Sequence, residues 1–278
     1  MEQNPYFLHW PGGELSLDRC RIVGILNVTP DSFSDGGKYF DPKKAVDRAW
    51  QIADEGADVL DIGAESTRPG SEGIDEKTEW SRLASVLQTL AKQNYLLPIS
   101  LDSTKPDLVF RALEERLVHW VNDVQGLQNP RMREAIREFK VPATLMHMWG
   151  MPRTMQSDYR YEDVVEDLIV FFRRRLEEMG STDNLVIDPG IGFGKGVEHN
   201  LQLLNRLHEF KVLNVPVLVG ASRKSFIGKI LGTEVDDRVE GSLAAAVIAR
   251  DGGASLLRVH DVRATSRAIR MAEAIRCS

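Results

Sequence analysis

The chain has 278 residues, of which 42% are hydrophobic and 27% are charged, and its formal net charge is −6. This composition is typical of a globular chain with a sizeable core, and it disfavours a disordered or low-complexity protein. The acidic balance disfavours nucleic-acid binding, where a basic patch would be expected, but it leaves an anionic small-molecule substrate open.

The segment of residues 1–20 precedes the first long apolar run, and we expect it to form a turn or hairpin. Its start, MEQNPYFLHWPGGE, lacks the charged beginning and apolar centre of a signal peptide. No apolar stretch approaches the length that spans a bilayer, so no membrane partner is expected. The two cysteines, Cys20 and Cys277, show no metal-ligand spacing and cannot make a disulfide framework. A cytoplasmic location is therefore expected.

Eight short apolar runs follow, and each is bounded by a polar residue suited to chemistry. The runs are RIVGILN, DVLDIGAEST, LPISLDST, VHWVND, ATLMHM, LVIDPG, PVLVGASRK and SLLRVHD. Parallel barrel strands are buried on both faces and read as continuous runs of Val, Ile and Leu. We predict an α/β protein, a single (β/α)8 TIM barrel over residues 1–278 in which residues 1–20 form an N-terminal cap. The active site then lies at the strand ends, which offer Asn27, Thr67, Asp102, Asn122, His147, Asp188, Lys224 and His260.

Helices are predicted between the strands. Asp41 is suited to cap the first, and Pro42 to occupy its first position. The second runs from about residue 75 to 93. The later ones are predicted near residues 106–116, 130–139, 161–179, 199–212, 238–251 and 262–276.

Two long loops after the first two strands carry the first candidate site residues. In ILNVTPDSFSDGG, Asn27 and the hydroxyl, carboxylate and glycine residues after it suit phosphate or hydrated Mg²⁺. Phe33 is an unusual aromatic in so polar a loop, and the alternative is a solvent loop with Phe33 against the core. In ESTRPG, Thr67 and Arg68 beside Pro69 suit an anion, although a polar turn with a surface arginine is equally open.

Acids and an amide at three strand ends form a second group. Asp102, Asn122 and Asp188 would suit a ligand with cyclic N–H donors, such as a guanidine-like edge. Each alone could be a helix N-cap or a buried salt bridge. Their occurrence at three strand ends favours a ligand site. Met146 is a candidate apolar wall for a flat ring, with a core role as the alternative.

The last two strands end in basic residues. GASRKS, at residues 220–225, follows the seventh strand, where barrels of this type often hold phosphate. Arg258 and His260 are two apart in an extended chain, so both face the same side and fit a diphosphate. The glycine-rich DPGIGFGKG lacks the rest of a dinucleotide fingerprint, and we interpret His147 as structural.

These motifs occur in the order found in bacterial dihydropteroate synthases, which the chain resembles from about Arg21 onward. They are ILNVTPDSFSDGG, DIGAESTRPG, LDSTKP, ND, LMHMWGMPRTMQ, DPGIGFGK, SRKSFIG and RVHDV. One departure is Ala64, where the family usually has a second glycine. The resemblance implies a transferase of folate synthesis that joins 6-hydroxymethyl-7,8-dihydropterin diphosphate to p-aminobenzoate and releases diphosphate. It further implies Mg²⁺ and a homodimer, and sulfonamides act on the family as p-aminobenzoate mimics.

The resemblance also implies roles for individual residues. Pterin contacts would be Asp102, Asn122, Met146, Asp188, Phe193, Gly220, Lys224 and Arg258. Diphosphate contacts would be Asn27, Thr67, Arg68, Arg258 and His260, with Asn27 also the Mg²⁺ ligand. The p-aminobenzoate pocket would be Phe33, Thr67, Pro69 and Ser225. The catalytic set would be Asp102, Asp188, Lys224, Arg258 and His260.

Three alternatives stay open from the sequence. A methyltetrahydrofolate methyltransferase would share the acidic pterin contacts but not the diphosphate set. A catalytically silent protein could hold a pterin or phosphate ligand. A phosphate-binding barrel isomerase or aldolase would usually carry a barrel-strand lysine or a carboxylate base, whereas Lys224 is expected in a loop beside Arg223.

Overall fold

The structure, a computed structural model, describes residues 6–29, 41–66, 73–150 and 159–277. It begins with an antiparallel hairpin of β1 (Phe7–Trp10) and β2 (Gly13–Ser16). Leu8 and Leu17 from this segment pack against residues at the amino-terminal ends of the barrel strands. Asn184 holds the hairpin at that end, because it exchanges two hydrogen bonds with the backbone of His9. The predicted hairpin is therefore confirmed, and it closes the bottom of the barrel.

Eight parallel strands form the barrel within the described part of the chain. They are β3 (Arg21–Asn27), β4 (Val59–Gly63), β5 (Ile99–Asp102), β6 (Trp120–Asp123), β7 (Ala143–Met146), β8 (Leu185–Asp188), β9 (Leu218–Val219) and β10 (Leu256–Val259). Their order in the sheet is β8-β7-β6-β5-β4-β3-β10-β9, and a parallel bridge between Ile187 and Val217 brings the two edges together. The predicted TIM barrel is confirmed.

Helices lie between the strands. They are α1 (Pro42–Asp54), α2 (Glu76–Lys92), α3 (Pro106–Glu114), α4 (Pro130–Phe139), α5 (Val164–Met179), α6 (Val197–Asn205), α7 (Ser225–Leu231), α8 (Val239–Asp251) and α9 (Val262–Cys277). Asp41 caps α1 as predicted, and Asp75 caps α2: each carboxylate accepts a hydrogen bond from the first turn of its helix. Among these helices, none is long and apolar enough to cross a bilayer.

Two helical segments differ from the sequence predictions. The helix expected over residues 199–212 is split into α6 and a 3-10 helix, Leu207–Leu213, because Arg206 leaves helical backbone geometry between them. The short helix α7 was not predicted, since the sequence favoured a loop there. It begins directly after Lys224, so this residue lies at a helix start.

Side chains that point into the barrel change from apolar to polar along its axis. Near the bottom, Val59 and Trp120 belong to one buried apolar cluster. Side chains of a strand alternate between faces, so Asp61 and Asn122, two positions later, point inward as well. The polar end of the barrel is therefore the carboxyl end of its strands, where the site residues were predicted.

Candidate active site

Arg258 is the central cation of the barrel mouth. It lies on β10, and its Nε donates to Asp61 Oδ2 at 2.7 Å while its Nη2 donates to Asp102 Oδ2 at 2.8 Å. Burial lowers the pKa of this guanidinium, but the carboxylates of Asp61 and Asp102 outweigh that effect and raise it. Arg258 thus stays charged and holds carboxylates from two neighbouring strands in place.

Asp61 is a member of this network that the sequence analysis did not identify. It is fully buried, at 0% exposure, and it also accepts from Asn122 Nδ2 at 3.3–3.4 Å. The contact orients the Asn122 amide toward the barrel axis. One signal for Asp61 was available in the run VLDIG. Asp61 is two positions after Val59, so if Val59 points into the barrel Asp61 does too, and a buried carboxylate needs a cation as its partner.

Asp188 ends β8 and presents a carboxylate to the same space. Its Oδ1 accepts from the backbone N–H of Gly190 at 2.7 Å, which leaves Oδ2 for another partner. Burial raises the pKa of Asp188 to about 6, although the Gly190 hydrogen bond and the charges of Lys224 and Arg258 oppose the rise. Gly220 faces this carboxylate: a Cβ there would lie 3.7 Å from Arg258 Cβ and 3.9 Å from Asp188 Oδ2.

Lys224 faces Asp188 from the start of α7. Its Nζ lies 3.9 Å from the centre of the Phe193 ring, a cation–π distance. Phe193 packs with Met146 and Val124 in a small apolar cluster, so one wall of the mouth is flat and apolar. Burial and the nearby charge of Arg258 lower the pKa of Lys224 to about 8, against the raising effect of Asp188 and Asp102.

His260 follows β10 and contacts Ser222. Its Nδ1 lies 3.1 Å from Ser222 Oγ, and its backbone N–H donates to the same oxygen at 3.2 Å. Burial, together with the charges of Arg258 and Arg223, lowers the pKa of His260 to about 3. His260 is therefore a neutral hydrogen-bonding group at neutral pH, not the cation that the sequence left open.

The two basic residues of GASRKS point to different partners. Arg223 donates to Asp261 through Nε at 2.9 Å and through Nη2 at 2.6 Å, a bidentate pair. Of the two basic residues Arg223 and Lys224, it is Lys224 that faces the barrel mouth. Ser225 is exposed at the first position of α7, and Asn27 lies partly buried at the end of β3.

The structure brings together all eight predicted pterin contacts. Asp102, Asn122, Met146, Asp188, Phe193, Gly220, Lys224 and Arg258 all line or adjoin the carboxyl end of the barrel. Phe33, Thr67, Arg68 and Pro69 lie outside the described residues. The sequence analysis also missed Lys195, a lysine of 5% exposure that lies near Asp188 in the loop after β8.

The side chains at the barrel mouth are suited to bind a flat ring that carries both hydrogen-bond donors and acceptors. Carboxylates and an amide can accept from, and donate to, a ring with several N–H groups and acceptors. Lys224 and Arg258 can hold an anionic or carbonyl group of the same ligand, and the apolar wall can cover its face. Buried opposite charges at one end of the barrel, with shifted pKa values, are typical of an active site.

Comparisons of the chain with family models and with known proteins indicate the same family. Residues 23–260 match the family described as "Pterin binding enzyme". The dihydropteroate synthase of Haemophilus influenzae is 43% identical over 264 residues, which cover 94% of this chain and 95% of that protein.

Two solved structures from Xanthomonas albilineans are also similar. The dihydropteroate synthase with 4-aminobenzoic acid has a TM-score of 0.90 and 43% identity, with 99% of each chain covered. The same enzyme in complex with 7,8-dihydropteroate has a TM-score of 0.87 and 41% identity, covering 98% of this chain and 99% of that one. The family match and the full-length similarity lead to one conclusion: the chain belongs to the pterin-binding enzyme family, among the dihydropteroate synthases, which are transferases.

Proposed function

We propose that the chain condenses 6-hydroxymethyl-7,8-dihydropterin diphosphate with p-aminobenzoate to form 7,8-dihydropteroate and diphosphate. The observation that carries this proposal is the meeting of Asp102 and Asp188 with Lys224 and Arg258 at one end of the barrel. The related structures named above hold 4-aminobenzoic acid and 7,8-dihydropteroate. A site with both acidic and basic groups suits a substrate that combines a ring rich in N–H donors with a diphosphate.

The pterin is proposed to lie between the strand ends. Its guanidine-like edge would donate to Asp188 Oδ2 and to Asn122 Oδ1, and Lys224 would donate to the ring's carbonyl oxygen. Phe193 and Met146 would cover one face of the ring. Gly220 supports this placement, because the absence of a side chain keeps the space beside Asp188 Oδ2 free.

The reaction is proposed to pass through an SN1-like displacement. The bond from the pterin methylene to the diphosphate oxygen breaks, and its electrons leave with the diphosphate. Positive charge then develops on the pterin, where Asp102 and Asp188 stabilise it, while Arg258, His260 and Arg68 stabilise the leaving group. The amine nitrogen of p-aminobenzoate forms the new bond to the methylene and loses a proton. No protein nucleophile is required.

Mg²⁺ is proposed as the cofactor. Within the described ranges, no group of three or more His, Cys, Asp or Glu side chains is arranged to hold a metal ion. Mg²⁺ commonly binds through one or two protein oxygens together with substrate phosphates and water, so the amide oxygen of Asn27 at the barrel mouth fits that role. When bound, the ion would neutralise charge on the departing diphosphate.

For p-aminobenzoate we propose a pocket formed by Phe33, Thr67, Pro69 and Ser225. Thr67 and Arg68 are also proposed diphosphate contacts. Ser225 is exposed at the start of α7, next to Lys224, so the second substrate would approach from the open side of the pterin. We further propose a cytoplasmic homodimer, and a reducing compartment is consistent with Cys20, a buried free thiol.

The decisive experiment is turnover of the two substrates. We expect 7,8-dihydropteroate and diphosphate to form in equal amounts when both substrates are mixed with the protein and Mg²⁺. Chelation with EDTA should abolish the reaction, and added Mg²⁺ should restore it. Binding of the pterin diphosphate without product in the presence of Mg²⁺ would instead indicate a binding protein and contradict the proposal.

The pH dependence of kcat/KM for the pterin diphosphate is a further expected result. We expect a bell-shaped profile, since Asp188 and Asp102 must be ionised and Lys224 protonated. Burial raises the pKa of Asp188 to about 6 and that of Asp102 to about 7, so the acid limb should lie near pH 6–7, and the alkaline limb should lie near pH 8. On the acid side these carboxylates take up protons, and above pH 8 the ammonium loses one, so the profile falls on both sides. In Lys224→Arg the alkaline limb should move upward, because a guanidinium stays protonated. An alkaline limb that stays near pH 8 in this variant would contradict the assignment to Lys224.

A further inference from the structure

Lys195 is a buried lysine that the reaction described above does not use. Its Nζ donates to three backbone carbonyls: Gly190 O at 3.0 Å, Phe193 O at 3.1 Å and His147 O at 3.3 Å. The same nitrogen lies 3.0 Å from His147 Nδ1. Burial lowers the pKa of Lys195 to about 7, and a buried amine is costly unless it is hydrogen-bonded, so these acceptors account for its position.

The Lys195 contacts connect the ends of two barrel strands. His147 follows β7, and the turn from Gly190 to Phe193 follows β8. Gly190 has a φ of +67°, and a Cβ on it would lie only 1.9 Å from His147 O. The backbone of the turn therefore passes directly against the end of β7, and Lys195 holds both segments at that close approach.

Two of the carbonyls bound by Lys195 belong to residues that contact the site. Gly190 donates its N–H to Asp188 Oδ1 at 2.7 Å. Phe193 presents its ring to the Lys224 ammonium at 3.9 Å. One buried lysine thus holds the backbone of Gly190, which orients Asp188, and of Phe193, which contacts Lys224.

We propose that Lys195 is a positioning residue for pterin binding, which clamps the turn of residues 190–193 against the end of β7 and so orients Asp188 and Lys224 toward the ring. This proposal rests on the proposed pterin substrate. Because Lys195 acts through these two groups, its loss should affect the pterin more than p-aminobenzoate.

The test compares Lys195→Met, Lys195→Gln and Leu8→Ala with the wild type. Methionine keeps similar volume but removes every donor, whereas glutamine keeps two N–H donors without the charge. Leu8 is 1% exposed in the apolar cluster at the opposite end of the barrel, so Leu8→Ala controls for general destabilisation. Calorimetry with 6-hydroxymethyl-7,8-dihydropterin diphosphate measures affinity, steady-state kinetics measure both KM values, and thermal unfolding reports stability.

We expect Lys195→Met to weaken pterin diphosphate affinity on the order of tenfold, the loss of about one hydrogen bond to a charged group. The pterin diphosphate affinity of Lys195→Gln should lie between those of Lys195→Met and the wild type. The KM for p-aminobenzoate should change by less than about twofold in both variants. If Lys195→Met does not fold, the glutamine variant alone decides. The proposal is overturned if pterin affinity is unchanged, or if both KM values change as they do in Leu8→Ala. Calorimetry needs no turnover, so a wild type that binds the pterin but does not condense it would contradict the proposed function alone.

Discussion

The Asp188→Asn variant should bind the pterin diphosphate about 3 kcal/mol more weakly than the wild type, or roughly a hundredfold. Asparagine can still accept from the Gly190 N–H through its Oδ1, so the local turn should persist. The other carboxylate oxygen becomes an NH₂ group, which can no longer accept from a ring N–H and carries no charge. Calorimetric titration of each variant with the pterin diphosphate measures the effect.

Asp123→Asn is a matched control for this substitution. Asp123 is also a buried carboxylate at a strand end, but its oxygens accept from the backbone N–H groups of Gln125 and Leu127 at 2.8 and 3.0 Å. An amide there loses one acceptor, so stability should fall while pterin affinity is retained. Asp188→Asn should show the reverse pattern. Unchanged affinity in Asp188→Asn would refute the pterin role of this carboxylate.

Arg258→Met is the second substitution for which we expect a large effect. Without the guanidinium, Asp61 and Asp102 would be left without their cation, and the free energy of unfolding should fall by about 3–5 kcal/mol. The loss should be largest at neutral pH and smaller near pH 5. The reason is that unpaired buried carboxylates have raised pKa values, so the folded variant takes up protons that the unfolded chain does not yet bind. Urea denaturation at several pH values measures this.

The same variant should also lose at least about a hundredfold in kcat/KM, by analogy with the removal of one donor to a developing anion. Arg174→Met is the control for a lost arginine charge, since the Arg174 side chain is 81% exposed and pairs with Glu178 at the surface. Its effect on stability should stay within about 0.5 kcal/mol. If Arg258→Met is as stable as Arg174→Met, the central role given to Arg258 in the barrel mouth is wrong.

The barrel could be predicted because its signals are local. A strand buried on both faces needs apolar side chains throughout, so runs such as ATLM and LVI mark the strands without knowledge of their neighbours. Caps such as Asp41 and Asp75 likewise act within one helical turn. The helix α7 carries no capping signal in the sequence, because it is short and the side chain of its N-cap residue, Lys224, makes no capping hydrogen bond.

Part of the site could also be predicted, namely the residues that end a strand. Asp102, Asp188 and Arg258 were identified because the carboxyl ends of barrel strands converge. Asp61 and Lys195 were missed because each depends on a distant partner. Asp61 is 197 positions from Arg258, and Lys195 is 48 positions from His147. The run VLDIG indicates that Asp61 is buried, but the residues near Asp61 or Lys195 in the sequence do not show which distant group will contact each of them.

By itself, the amino-acid sequence determined the strands, most of the helices and the rim on which polar side chains gather. Apolar burial, capping and alternation all operate between residues that are close along the chain. Only the tertiary structure decided the pairing of charges: Arg258 with Asp61 and Asp102, Arg223 with Asp261, and Lys195 with three carbonyls. The cost of burying a charge depends on which groups the closed barrel brings within hydrogen-bond distance, so the ionisation of the site residues follows from the fold.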